Sequence, residues 1–354
     1  MKIAYILSHN IDSNDGVVKK IYDQINAWQR TGHQVEVFTL CKGGNKSLLT
    51  SRVYPFQGAI KSRLFANQSL IQDVDTFAPD IVYFRYDFWN ASVYKLAAKY
   101  PLVVESNTAS LFEASLQLKT EKSIKALLRY TSLIAFHRLF ETRIKGVVSV
   151  TSELFDLEYK GKTIPNVTIT NSVNLENYRP LKSVDANAKT SLCFLGSPNQ
   201  AWHGLDIIEK LAKALPDYHF HIIGDKGSNT NNVTYHGFLN KDAYNTILAT
   251  CHIAIGTLAL HRKGMTQACP LKVREYLLAG FPVILGYDDV INDNKPTWCF
   301  ELNDLNENSI KALSAFVEKQ KCVIVPKEQL ACIDIQTNEQ KRLEFLQQVY
   351  ALNE

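Results

Sequence analysis

The chain predicts an α/β protein made of two successive units, each a mostly parallel sheet with helices on both faces. Three observations predict it. Short apolar runs alternate with helix-period stretches through the first half. A polar stretch, 181–190, then intervenes with few large apolar residues, as a linker does. After it the same alternation restarts. The length, 354 residues, suits two domains. The expected division is residues 1–182 and 183–335. A last helix of about 336–354 can pack on either unit, the first being one of the two options.

The elements follow in order. Residues 2–8 are a short apolar strand. Residues 17–31 carry Val17, Val18, Ile21, Ile25, Ala27 and Trp28 at helical spacing, and Gly32-His33 closes the helix. Residues 34–40 form the next strand. The turn Ala78-Pro79-Asp80 leads to a strand at 81–84, a helix at 91–99 and a strand at 102–105. A long helical region at 123–145 precedes a strand at 146–150. The second unit opens with a strand at 191–195 ending in Gly196 and a helix at 205–215. A strand at 219–223 ends in Gly224-Asp225. Residues 233–236 and 253–257 are strands around a helix at 241–250. The last helix carries Leu343, Leu346, Val349 and Tyr350 on one side. Two such units in tandem are Rossmann-like domains expected to face one another.

Composition bounds the function. Hydrophobic residues make up 46% of the chain and charged residues 21%, which suits large cores in water. A net charge of +4 is mild and comes with no dense basic run, so nucleic acid is not an expected partner. The seven cysteines are scattered and form no Cys-x-x-Cys pair. That argues against a disulfide framework or zinc site and for a reducing cytoplasm. The first ten residues read as a strand rather than a signal peptide. No apolar run reaches the roughly 20 residues that span a bilayer.

Ligands in parallel sheets sit beyond the carboxyl ends of the strands. The loops to inspect are therefore 8–16, 85–90, 106–110, 196–204, 224–232 and 257–272. The most informative is the last, with the segment CPLKVREYLLAGFPVI at 269–284. Pro270 suits the start of a helix, and Val273, Tyr276, Leu277 and Leu278 give it an apolar face. Ala279-Gly280 ends it and Pro282 prevents its continuation. The helix start at Pro270–Leu271, with free N–H groups from Leu271 onward and Lys272 beside them, suits a phosphate. Glu275, one turn on, can accept hydrogen bonds from two vicinal hydroxyls of a ribose. Together they describe a pocket for a nucleoside diphosphate, although an ordinary loop and packed helix would read the same way in isolation.

At this point the residues resemble a family. The opening DGVVKKIYDQINAWQRTGHQVEVFT, the stretch PNVTITNSVNLENYRP at 165–180, the run LCFLGSPNQAWHGLDIIEKLAKALPDYHFHIIGD, VTYHGFL, and 269–285 follow one another as in retaining glycosyltransferases of family 4. The resemblance implies the GT-B fold of two facing Rossmann-like domains with a cleft between them. It implies a UDP- or GDP-sugar as donor, a glycan or lipid-linked glycan as acceptor, and a role in capsule, O-antigen or exopolysaccharide synthesis. Glu275 matches the second glutamate of the family's pair, which binds the donor ribose. The first falls on Gln267, which can bond a sugar hydroxyl but carries no charge. The family's arginine and lysine of the first donor strand fall on Ser197 and His203. Lys272, with Arg262 or Lys263, is then the source of positive charge. Asn171-Ser172-Val173-Asn174 stands where the family has P-N-G-V-D. These departures mark a divergent member.

The chemistry sets further expectations. Transfer builds negative charge on the leaving phosphate, so its stabilisation is the main need. Gly16, after Asp15, lets backbone N–H groups approach a phosphate closely. An alternative for Asp15-Gly16 is a simple turn. The family's acceptor-domain histidine is replaced by Asn107, which can orient a hydroxyl but cannot act as a base. The leaving phosphate can take the acceptor proton instead. Arg85 and Tyr86 resemble an Arg-Tyr pair of some capsule and O-antigen transferases and are expected at donor or acceptor; a loop salt bridge is the alternative. No Asp-x-Asp site stands in a suitable loop, so no metal is expected. Residues 119–145 interleave Lys119, Lys122, Lys125, Arg129, Arg138, Arg143 and Lys145 with apolar side chains. Such a helix can lie on an anionic membrane, or simply present a solvated basic face. Two other functions compete with transfer: a nucleotide-sugar 2-epimerase, and a partner subunit that binds nucleotide-sugar without catalysis.

Overall fold

The computed structural model describes residues 1–13, 15–41, 47–55, 59–87, 89–121 and 123–354. Asn14 and Phe88, in two of the expected ligand loops, and Lys122 of the basic stretch lie outside the described residues. The chain divides into two compact units, Met1–Thr170 with Ile335–Glu354, and Asn171–Asp334.

The first unit runs β1 (Lys2–Leu7), α1 (Gly16–Arg30), β2 (Gln34–Cys41), β3 (Arg52–Pro55), α2 (Ala59–Leu64), α3 (Gln68–Phe77), β4 (Ile81–Tyr86), α4 (Ala91–Leu96), β5 (Leu102–Ser106), α5 (Ser110–Glu121), α6 (Ile124–Glu141), β6 (Ile144–Ser149), α7 (Ser152–Tyr159) and β7 (Asn166–Thr168). Its strands are parallel in the order β3-β2-β1-β4-β5-β6-β7. The order reverses between β1 and β4, which leaves a crevice at the carboxyl ends of those two strands. Strand alternation splits the core. Val82, Phe84 and Val104 face one layer with Phe140 and Tyr159. Tyr5, Tyr83 and Val103 face the other with Ile21 and Trp28.

The second unit runs β8 (Ser191–Leu195), α8 (Leu205–Ala214), β9 (His219–Ile223), β10 (Val233–Gly237), α9 (Lys241–Leu248), β11 (Ile253–Ile255), α10 (Leu271–Leu278), β12 (Val283–Leu285), β13 (Cys299–Glu301) and α11 (Glu307–Gln320). Its parallel order is β10-β9-β8-β11-β12-β13, so the reversal lies between β8 and β11. The last helix, α12 (Ile335–Ala351), belongs to the first unit. Leu343, Phe345, Leu346 and Val349 enter the core layer of α1. Trp28 Nε1 donates to Glu339 Oε2 at 2.9 Å, and Arg342 Nη1 to the Tyr83 hydroxyl at 2.7 Å.

The units divide at 170/171, where polar composition had suggested 182/183. Residues 171–182 bond onto the second unit. Val173 N donates to Ile333 O, Arg179 N to Leu278 O and Leu181 N to Ala279 O, each at 2.9 Å. Lys182 is buried and its Nζ donates to Lys321 O at 2.7 Å, beside the end of α11. A polar segment can be structural when its backbone groups find such partners. The long helical region at 123–145 also resolves differently. Ser123 caps α6 by accepting from Ala126 N, and the chain is already strand at Ile144, buried beside β5. Among the described residues, no helix is long and apolar enough to cross a membrane.

Candidate functional site

In the second unit the loops after β8, β9 and β11 converge where the strand order reverses. Gly196 and Gly224 end β8 and β9 with their backbones in close contact. A Cβ on Gly224, whose φ is +95°, would stand 1.8 Å from Gly196 O. A Cβ on Gly196 would stand 2.5 Å from the Phe194 ring and 2.8 Å from His203 Nδ1. Neither position tolerates a side chain. The loop after β8 is tied to the loop after β11: Leu258 N donates to His203 O and Ala259 N to Trp202 O.

Above these glycines stands the start of α10. Pro270 is its N-cap, in extended conformation, and offers no capping side chain to the first N–H groups. Leu271 is the first helical residue. Lys272 lies in the first turn. Its Nζ is shut off from solvent, has no hydrogen-bond partner and sits 4.0 Å from the centre of the Phe194 ring. Burial lowers the Lys272 pKa to about 7. His203 is buried as well and its Nδ1 has no partner. Burial, then the nearby Lys272 charge, lowers the His203 pKa to about 4, so its ring is neutral. A desolvated lysine and a neutral imidazole thus stand in one place, with no carboxylate hydrogen-bonded to either.

Glu275 is exposed one turn further along α10. Its charge adds to burial in pushing the Tyr244 hydroxyl up to about 12, which places it beside α9. The helix carrying both residues is locked from behind. Arg274, fully buried, pairs with the equally buried Asp289, and its Nε donates to Asn171 O at 2.9 Å. Tyr276 accepts from Leu195 N at 2.6 Å, which fixes α10 to the end of β8.

The other expected residues are distributed as follows. Gln267 pairs its backbone segment with Asp288, and its Nε2 donates weakly to Asp288 Oδ2 at 3.4 Å. Ser197 is exposed directly after Gly196. Arg262 does not supply free positive charge: it forks onto Asp206 with two bonds of 2.8 Å. Lys263 stands over the Trp202 ring at 4.3 Å.

In the first unit, Asp15 caps α1, accepting from Val17 N and Val18 N, with His9 Nε2 at 3.1 Å. A carboxylate thus occupies the helix start where Gly16 was expected to admit a phosphate. Tyr86 faces inward, buried, with its hydroxyl 3.0 Å from His137 Nδ1; it offers no surface contact. Arg85, on the opposite face of β4, points toward Glu105. Asn107 accepts from Lys20 Nζ at 3.1 Å, and Lys20 bonds Glu105 Oε1 at 2.7 Å. The Glu105, Lys20 and Arg342 cluster was not foreseen. Its one trace in the sequence is that Lys20 and Gln24 fall on the apolar face of α1 with Ile21 and Trp28. Among the described residues, no group of three or more His, Cys, Asp or Glu is gathered as for a metal.

No family model matches the chain, and no curated protein matches it significantly. Solved structures do match over the whole length. The lipopolysaccharide outer core galactosyltransferase WaaB, in apo form, is 12% identical with a TM-score of 0.67, over 98% of this chain and 99% of that one. Sucrose-phosphate synthase from Thermosynechococcus elongatus is 12% identical with a TM-score of 0.69, over 99% of both chains. HepE of Anabaena, in complex with UDP and glucose, is 16% identical with a TM-score of 0.63, over 97% of this chain and 99% of that one. The fold is that of these GT-B glycosyltransferases: two Rossmann-like units with parallel sheets.

Proposed function

We propose that the chain is a retaining glycosyltransferase, which moves a sugar from a nucleoside-diphosphate-sugar to a glycan or lipid-linked glycan in cell-surface polysaccharide synthesis. One observation carries the reading. Lys272 Nζ is buried without a hydrogen-bond partner at the start of α10, over the Phe194 ring, next to the closely packed glycine turn that ends β8. Binding a diphosphate there supplies the missing counter-charge. Charge growing on the leaving phosphate during transfer is then met by Lys272 and the uncapped N–H groups after Pro270. Glu275 takes the ribose hydroxyls, and Gln267 and Asn107 orient sugar hydroxyls. The leaving phosphate accepts the proton of the acceptor hydroxyl, so no protein base and no metal are required. The UDP held by HepE supports a uridine nucleotide as donor.

The test is calorimetric titration of UDP, GDP, ADP and CMP into the wild type and Glu275→Ala. Saturable binding of one diphosphate, weakened about tenfold or more by the substitution, supports the donor pocket and fixes the base. If no nucleotide binds, the donor assignment falls. A second reading, a partner subunit that binds nucleotide-sugar without transfer, is favoured by Gln267, whose carboxamide replaces a charged side chain. Donor binding without transfer to any glycan would select it.

Peripheral contact with the cytoplasmic face of an anionic membrane is part of the proposal. Ile124, Leu127 and Leu128 are exposed at helical spacing on α6, flanked by Lys125 and Arg129. Loss of flotation with anionic liposomes at low salt removes that element. The seven free cysteines support a reducing compartment.

A further inference from the structure

We propose that the first unit carries a subsite for an oxyanion at Arg85, and that the acceptor bears a carboxylate or phosphate group that docks there. The acceptor half rests on the transferase reading; the anion subsite does not.

Glu105 is fully buried and meets three cations: Lys20 Nζ at 2.7 Å, Arg85 Nη1 at 3.5 Å and Arg342 Nη1 at 3.7 Å. One more carboxylate joins them, Glu339, bonded to Arg342 Nε at 2.8 Å. Among the described residues, three positive groups thus share two negative ones. The neutral donors around them, Tyr5 and Trp28, bond the carboxylates without changing that balance. Asp87, directly after β4, pairs with Arg63 at 2.9 Å. An unmatched charge in a protein interior is costly, and an anion relieves it.

Arg85 is where that anion can enter. Its side chain is 17% exposed, against 2% or less for the side chains of Lys20, Glu105, Arg342 and Glu339. At 3.5 Å its contact with Glu105 is at the limit of a hydrogen bond, so most of its planar set of donors remains for a bidentate partner. Asn107 supplies a second donor. Lys20 donates to its Oδ1, which orients its Nδ2 as a donor, and that Nδ2 is buried with no partner. Both residues stand at the carboxyl ends of β4 and β5, next to the reversal of strand order at β1 and β4. A neutral sugar satisfies hydrogen bonds here but leaves the charge unmatched.

The experiment titrates methyl glucuronide, inorganic phosphate and methyl glucoside into the full chain without nucleotide. The expected result is that at least one anion binds about tenfold or more tightly than the glucoside, that Arg85→Gln abolishes the advantage, and that Arg85→Lys keeps part of it. Unchanged thermal unfolding of the variants ties the loss to the site rather than the fold. The arm that binds better, glucuronide or phosphate, identifies the source of the oxyanion. Equal binding of all three, no binding of either anion, or an advantage that survives Arg85→Gln each overturns the subsite. Because no donor is present, a failed nucleotide titration sinks the transferase reading without touching this result.

Discussion

Arg274 and Asp289 form an ion pair in which neither side chain is reachable by water, with Nη2 and Oδ1 2.8 Å apart. Arg274 lies between Lys272 and Glu275 on α10, and Asp289 reaches it from the loop after β12. Removing one partner leaves a buried guanidinium alone, which costs about 3–5 kcal/mol. Asp289→Asn is therefore expected to lower the urea midpoint strongly. An unchanged midpoint means that α10 is held by other contacts.

Lys272 gives a pH signature with a definite sign. Its folded pKa, about 7, lies below that of the unfolded chain. Between the two, the unfolded state holds more protons, so stability from this group rises as pH climbs from about 7 toward its unfolded pKa. Lys272→Met is expected to be more stable than the wild type below pH 7, to lose that slope above it, and to bind the nucleoside diphosphate at least about tenfold more weakly. Urea titrations at several pH values measure the first two effects. A variant with the wild-type slope refutes the assignment.

Gly224 admits no side chain. Gly224→Ala places a methyl group against Gly196 O while holding φ at +95°. Loss of roughly 2 kcal/mol or more is expected, with nucleotide affinity falling alongside. Alanine tolerated at full stability and affinity contradicts the backbone contact.

Glu158 titrates in the opposite sense to Lys272. Its Oε1 accepts from Leu111 N at 2.9 Å at the start of α5, while burial raises the carboxyl to about 7. The folded state holds the extra proton, so this contribution is complete below the unfolded carboxyl range and is lost as pH rises through about 7. Glu158→Gln, which imitates the protonated form, is expected to exceed the wild type by about 2 kcal/mol at pH 8 and to match it near pH 4.5. Thermal unfolding at the two values decides.

Much of this architecture was legible because local pattern carried it. The apolar face of α1, the glycines closing β8 and β9, and the Pro270-to-Gly280 frame of α10 all follow from spacing and turn chemistry. What stayed hidden depends on distance along the chain. Trp28 and Glu339 are 311 residues apart, and nothing in either neighbourhood announces the other. Lys20 broke the apolar face of α1 without naming a partner. Arg262 read as a spare cation because Asp206, which takes it, lies on another helix. Tyr86 read as surface because it follows Arg85, yet alternation along β4 turns the two to opposite faces.

The last helix sets the order in which the protein can be finished during synthesis. Gly146 on β6 is overlaid by Val349 and Phe345, and Trp28 is bonded by Glu339. The unit that the ribosome begins first therefore keeps an apolar face open until residues 335–351 emerge. By then the second unit, 171–334, has all its strands. The first unit's apolar face thus stays partly uncovered while the second unit is being synthesised. Removing residues 335–351 uncovers α1 and β6 together, although both lie far away in sequence from the segment lost.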